Sequence, residues 1–373
     1  MNNLTWKSWN ILCLSLICSG ILAICVLSEW LLFRLNENTS LNKTIDIQNK
    51  EDVLYGSLLN NQSYIYKLRM VTLKQPEILV VGSSRVMCFR KEFFDQAYSF
   101  YNVGGAVPTI EKGIEFINKM PANFKPKIII LGIDLWWLNS NYHDRRDLQP
   151  ILEETNIVNQ RVKLYGALFE NITNGNLSKL GITFSDMPNL NITRDPIEGR
   201  KTIGILAALR GDGFRGDGSW QYGSVITGTL KKDYSSEVKA IHEGRGVFAY
   251  GSNISQHRLV QLESFIRLLK SKSEKLIVFA PPYAHEIYSL LLTSAHHNGF
   301  MNTSKSALVK LCRDESVQFH DFSDITWYGS NDNETHDGYH GNEKSYARIS
   351  YALSSDNTVK HFFNQGRLLQ YIK

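Results

Sequence analysis

Two serines at the end of an apolar run, and an aspartate three places ahead of a histidine near the far end of the chain, have the types and spacing for chemistry. Ser83 and Ser84 follow Glu77-Ile-Leu-Val-Val-Gly82 and precede Arg85. A serine hydroxyl is a weak nucleophile until a base takes its proton and a third group orients that base. Asp337 and His340, within Thr335-His-Asp-Gly-Tyr-His-Gly-Asn342, supply both types, and a turn there would set carboxylate beside imidazole. On these residues alone either serine serves, and a solvated turn capping a helix accounts equally well for the Asp-x-x-His stretch.

Such groups need strands and helices to hold them. Ile78 to Val81, Ser99 to Gly105, Pro126 to Gly132, Lys275 to Ala280 and Val317 to Phe322 are apolar runs that read as strands buried on both faces. Helical patterns alternate with them at Ile110 to Met120, Gln256 to Lys270, Ala284 to His296, Ser304 to Glu315 and Asn342 to Phe363, with a lead-in helix at Leu54 to Leu73. That alternation predicts an α/β domain built on an open parallel sheet with helices on both faces, over residues 76–365. Residues 34–75 read as a connector and 366–373 as a C-terminal tail. Between 140 and 251 the alternation is lost, which predicts a long insertion with a few helices such as Ile203 to Leu209.

Composition bounds the class. The chain has 373 residues, 43% of them apolar, enough for a sizeable core. Its 41 basic and 36 acidic side chains form no long single-sign block, so no nucleic-acid footprint is expected. Residues 11–33, behind a short tail at 1–10, carry Glu29 as their one charge and exceed the ~20 residues that cross a bilayer. They run on past the ~7–15 apolar residues of a secretion signal, so an uncleaved transmembrane anchor is expected, with the remaining chain outside the cytoplasm. Of five cysteines only Cys88 and Cys312 lie beyond the anchor, without partners at metal-ligand spacing. No metal and no cofactor is expected.

Taken together, a serine after the first buried strand, a glycine pair after the second and Asp-x-x-His before the last long helix resemble the SGNH hydrolases, whose fold is flavodoxin-like. The resemblance covers about Pro76 to Asn139 and Ser273 to Phe363. It implies that Ser84 is the nucleophile, His340 the base and Asp337 its orienter, and that the N–H groups of Ser84 and of Gly104 or Gly105 hold the oxyanion. This chain has Gly82-Ser83-Ser84 where the family has Gly-Asp-Ser, and Gly132-Ile-Asp134 where it has Gly-x-Asn. An ionised Asp134 would repel a developing oxyanion. Three expectations follow: Asp134 is protonated, or it contacts structure or substrate while another donor such as Asn139 serves, or the hole is weak. With the anchor and Gly-x-Ser-Arg, the chain looks like the D-alanyl transfer and alginate acetylation proteins, which modify envelope polymers beside a multi-spanning membrane-bound O-acyltransferase. The implied activity is serine-dependent O-acyl transfer to an extracytoplasmic polysaccharide at the inner membrane. A carbohydrate esterase, or a catalytically silent glycan-binding or scaffold protein, is the alternative.

Other residues stay open. Arg85 would pair with an anionic polymer or close a surface salt bridge. Trp136 and Trp137 would stack on a sugar or join the core, and Tyr283, after Pro281-Pro282, would line the cleft. Arg210-Gly-Asp-Gly-Phe-Arg-Gly-Asp-Gly218 reads as a flexible loop bordering the cleft, an unrelated surface loop or a metal site.

Overall fold

A computed structural model describes residues 6–58, 63–143, 157–174, 194–230 and 232–373. The parts of the insertion at 144–156 and 175–193 lie outside the described residues. The chain divides into two compact units, residues 1–60 with 154–213, and 61–153 with 214–373.

The second unit is built on a parallel sheet of β1 (Ile78–Val81), β2 (Phe100–Asn102), β3 (Ile128–Gly132), β4 (Lys275–Ala280) and β5 (Gln318–Asp321). Its order is β2-β1-β3-β4-β5, with Ile78 in register with both Phe100 and Ile128. β-branched residues stack well on a pleated surface, and side chains alternate between faces. Ile78, Val80, Ile128, Ile130, Ile277 and Phe279 accordingly share one cluster with Tyr346, Ile349 and Leu353. On the other face Leu79 and Ile129 meet Ile117, Met120 and Phe124. Helices thus cover both faces, α1 (Ile110–Lys119) and α2 (Gln256–Lys272) on the second and α3 (Glu343–Leu353) on the first. Helices α1 and α2 approach closely because Gly113 has no Cβ, which would stand 2.6 Å from the Phe265 ring.

Strand order reverses between β1 and β3. The crevice outside the C-terminal ends of strands at such a switch point is where open α/β sheets place ligands. The loops that begin at Gly82 and Gly132 leave the sheet there. Val86 folds back over both glycines, and a Cβ on Gly132 would sit 2.4 Å from its methyl group.

Several boundaries differ from the sequence reading. The final helix stops at Leu353, and the expected tail is instead a helix, Gln365–Ile372, whose Leu368 is buried in the main core. The expected lead-in helix is a short strand, Val53–Tyr55, and a separate helix, Ser63–Lys74. Pairing overrides helical pattern here, since Val53–Tyr55 runs parallel to Lys201–Ile203 within the first unit. The connector and insertion are not single pieces either, because residues 34–60 and 154–213 belong to the first unit and 214–251 to the second.

In the first unit one helix, Trp6–Arg34, is long and apolar enough to cross a membrane, with mean hydropathy 2.6 in its most apolar window. Its 29 residues give about 44 Å of helix against a hydrocarbon core of about 30 Å. Near its C-terminal end Glu29 is satisfied by Tyr165 Oη at 2.7 Å and Arg161 Nε at 3.4 Å, while Leu31 and Leu32 pack with Leu164 and Leu168.

Candidate active site

Directly after β1 the chain makes one 3-10 turn, Ser84–Val86. Ser83 caps it, its Oγ accepting the Arg85 N–H at 3.2 Å. The adjacent serines therefore have different tasks, and Ser84 is the one beside the histidine. Ser84 Oγ stands 2.9 Å from His340 Nε2.

His340 is held by its own loop. An antiparallel bridge joins Thr335 to Gly341, and the His336 N–H donates to the His340 carbonyl at 2.7 Å. Inside this loop Asp337 Oδ1 accepts the N–H groups of Tyr339 at 2.9 Å and His340 at 2.8 Å, and Oδ2 lies 2.8 Å from His340 Nδ1. Burial alone would raise the Asp337 carboxyl, but His340 and the Tyr339 amide bring it down to about 2. An ionised Asp337 takes a proton-bearing Nδ1, which leaves Nε2 to accept from the Ser84 hydroxyl. Behind the loop Asn342 caps α3 through Ser345 N–H at 3.0 Å. From the former insertion, Lys232 Nζ donates to the Asp332 carbonyl at 2.9 Å, and Tyr234 Oη meets Thr335 Oγ1 at 2.8 Å.

Oxyanion donors are scarcer than expected. The Gly104 N–H is taken by Asn102 Oδ1 at 2.7 Å, and the Gly105 N–H by the Gly82 carbonyl at 3.2 Å. Asn139 is also engaged elsewhere, its Nδ2 donating to the Ala249 carbonyl at 2.7 Å and its Oδ1 accepting Asn141 N–H at 2.9 Å. The Ser84 N–H, at the start of its turn, has no hydrogen-bond acceptor among the described residues.

Arg85 corrects both sequence readings, being neither a polymer contact nor a surface ion. Its side chain is 1% exposed and pairs with Asp134, Nη1 to Oδ1 at 3.2 Å. Burial pushes the Asp134 carboxyl upward and Arg85 opposes it, while Arg85 stays cationic because Tyr283 and Asp134 outweigh its own burial. Asp134 is thus a counter-ion rather than a substrate contact. Trp136 and Trp137 are core residues, 4% and 1% exposed, and Trp137 Nε1 donates to the Pro108 carbonyl at 2.8 Å. Tyr283 is buried against the Arg85 guanidinium, 4.2 Å from its ring centre, instead of lining a cleft. None of these three aromatics offers a free face for a sugar.

The glycine-rich repeat is not one loop. Its first copy ends in the first unit at Gly213, and the second, Arg215 to Gly218, is buried in the other unit. Asp217 is saturated by Lys91 N–H at 2.9 Å, Ser219 N–H at 2.9 Å and Ser219 Oγ at 2.7 Å, which leaves a cation little to bind. Arg215 joins Arg90 on the carboxylate of Glu343, at the start of α3.

Asn102 is the residue the sequence reading passed over. It is buried at the end of β2, and its Nδ2 donates to the Val86 and Phe89 carbonyls at 2.9 and 3.0 Å while its Oδ1 holds Gly104. The signal was an asparagine closing an apolar strand just before Val103-Gly-Gly105, where an amide can tie two loops together. The chain matches no protein-family model, no curated protein and no solved structure.

Proposed function

We propose that this chain is a membrane-anchored serine O-acyltransferase of the SGNH type, acting on an extracytoplasmic polysaccharide or other envelope polymer. The observation that carries the reading is the relay Ser84 Oγ, His340 Nε2, His340 Nδ1, Asp337, with contacts of 2.9 and 2.8 Å at the crevice of a switched parallel sheet. In the reaction His340 Nε2 takes the Ser84 proton as Oγ attacks the acyl carbonyl, and returns it to the donor's leaving group. The acyl group then rests on Ser84 as an ester. A sugar hydroxyl gives its proton to Nε2, attacks that ester and frees Ser84, which recovers the proton. Asp337 stabilises the imidazolium in both halves, and the Ser84 N–H donates to the oxyanion.

The anchor, single-pass in the cytoplasmic membrane, holds the domain on the outer side, within reach of a multi-spanning O-acyltransferase that delivers the acyl group. Hydrolysis is the same chemistry with water as acceptor. The engaged amides of Gly104, Gly105 and Asn139 favour a second reading, a silent glycan-binding scaffold on this fold. Incubating the detergent-solubilised chain with a chromogenic acyl ester, with and without glycan, separates the three. Acyl groups on the glycan support transfer, release to water alone supports the esterase, and no acyl-Ser84 in the mass spectrum supports the scaffold.

A further inference from the structure

We propose that Arg85 is a positioning residue whose buried guanidinium fixes the distance between Ser84 and His340; this inference rests on the acyl-transfer reading above. The side chain gathers the loops that follow β1, β3 and β4 together with the histidine loop. Nε donates to the Tyr339 carbonyl at 2.8 Å, one peptide before His340. Nη1 reaches Asp134 at 3.2 Å, and Nη2 reaches the carbonyls of Pro281 at 2.7 Å and Pro282 at 2.6 Å. Arg85 also fixes its own backbone, the N–H on Ser83 Oγ and the carbonyl on the Tyr346 hydroxyl. Its guanidinium carbon lies 4.2 Å from the ring centre of Tyr283 and 5.0 Å from that of Trp136. Nucleophile and clamp are therefore consecutive residues.

The chemistry needs arginine. Carbonyls buried away from water need donors, and those of Pro281 and Pro282 find theirs in Nη2. A planar fork with five donors spans acceptors on separate loops, whereas a lysine ammonium is a single point with three donors. Lysine at this position keeps the charge beside Asp134 but cannot hold Tyr339 and both prolines at once. Freed of the Nε bond, the histidine loop drifts and Nε2 leaves hydrogen-bond reach of Oγ.

The test is the rate of Ser84 modification by a fluorophosphonate probe on the full chain in detergent, for wild type, Arg85→Lys, His340→Ala and the double variant. A misplacement near 1 Å costs ~100-fold, so Arg85→Lys lowers the limiting rate by about that factor with probe affinity unchanged. In the Arg85→Lys background His340→Ala then adds little, because the base is already out of place. A purely structural Arg85 gives losses that multiply, and that result, or a wild-type rate in folded Arg85→Lys, overturns the proposal. Should Arg85→Lys fail to fold, Asp134→Asn, which loosens the clamp at one contact, decides by the same non-additivity. Absence of Ser84 labelling in the wild type, or wild-type labelling in His340→Ala, instead defeats the acyl-transfer reading.

Discussion

Ser84 Oγ and His340 Nε2 meet at 2.9 Å across a sequence separation of 256 residues. If that contact is the reactive one, Ser84→Ala abolishes acyl-enzyme formation, and Ser83→Ala retains it, since Ser83 supports the turn and its hydroxyl is not the one at the histidine. Intact-mass spectrometry after exposure to an acyl ester reads both variants. Acylation persisting in Ser84→Ala would assign the chemistry elsewhere.

Asp337 carries a pH signature. Its carboxyl lies at about 2 against an ordinary 3.8, so its stabilising contribution is complete above pH ~4 and lost as pH falls through ~2. That shift is worth on the order of 2 kcal/mol. Urea unfolding of wild type and Asp337→Asn should show a gap of that order at neutral pH that closes between pH 4 and 2. The same variant should lose on the order of 10⁴ in acylation rate, because the imidazole loses its orienting partner.

Asn102→Ala removes an amide with three hydrogen bonds and leaves the Phe89 carbonyl and the Gly104 N–H without partners in the core, while the Val86 carbonyl keeps only the Phe89 N–H at 3.3 Å. A loss of about 2–4 kcal/mol is expected, at about 1 kcal/mol per bond plus the cost of the orphaned groups. Thermal unfolding measures it. A change below 0.5 kcal/mol, the ordinary scatter of surface substitutions, would show that the amide is dispensable.

Glu343 sits between Arg90 and Arg215, and although burial works against its charge, the two guanidinium groups hold its carboxyl below the usual range. Glu343→Ala removes the carboxylate that two largely buried cations share, leaving Arg90 with Glu92 at 3.1 Å and Arg215 with the Ser219 hydroxyl and the Trp220 carbonyl. A cost of about 3 kcal/mol, the low end for breaking a buried pair, is expected. Because the carboxyl is depressed, the wild-type advantage is present above the unfolded-state pKa and fades as pH falls through the folded one. An advantage that grows on acidification would contradict the pairing.

Orientation is open to direct chemistry. Cys88 and Cys312 are buried and the other cysteines lie in the apolar helix, so a cysteine at exposed Ser355 reports on its side of the membrane. A membrane-impermeant maleimide should modify Ser355→Cys in intact cells. Modification only after lysis would place the domain inside.

The central sheet strands and the Ser84, Asp337, His340 arrangement were legible because buried parallel strands are continuous apolar runs and Asp-x-x-His closes in a local turn. The strand Gln318–Asp321, expected to be buried on both faces, is instead a partly exposed edge strand with polar residues. Arg85 was not legible. A charge in a sequence reads as surface, and only three-dimensional placement shows that its partners include backbone carbonyls, which every residue has. For Trp136 and Trp137 the sequence left sugar stacking and core open, and the structure gives core, because their burial depends on the cation packed against Trp136 and on the Pro108 carbonyl. The donors of Gly104, Gly105 and Asn139 were counted as free since residue type cannot show a hydrogen bond already made.

The Arg85 clamp also constrains how such a chain can evolve. Replacing Arg85 by a neutral residue strands a buried carboxylate at Asp134 and leaves Pro281 and Pro282 without their donor. Replacing Asp134 alone strands the cation. Tolerated change must therefore arrive at Arg85 and Asp134 together and still supply a donor to the two backbone carbonyls, so that two separate loops inherit as one unit.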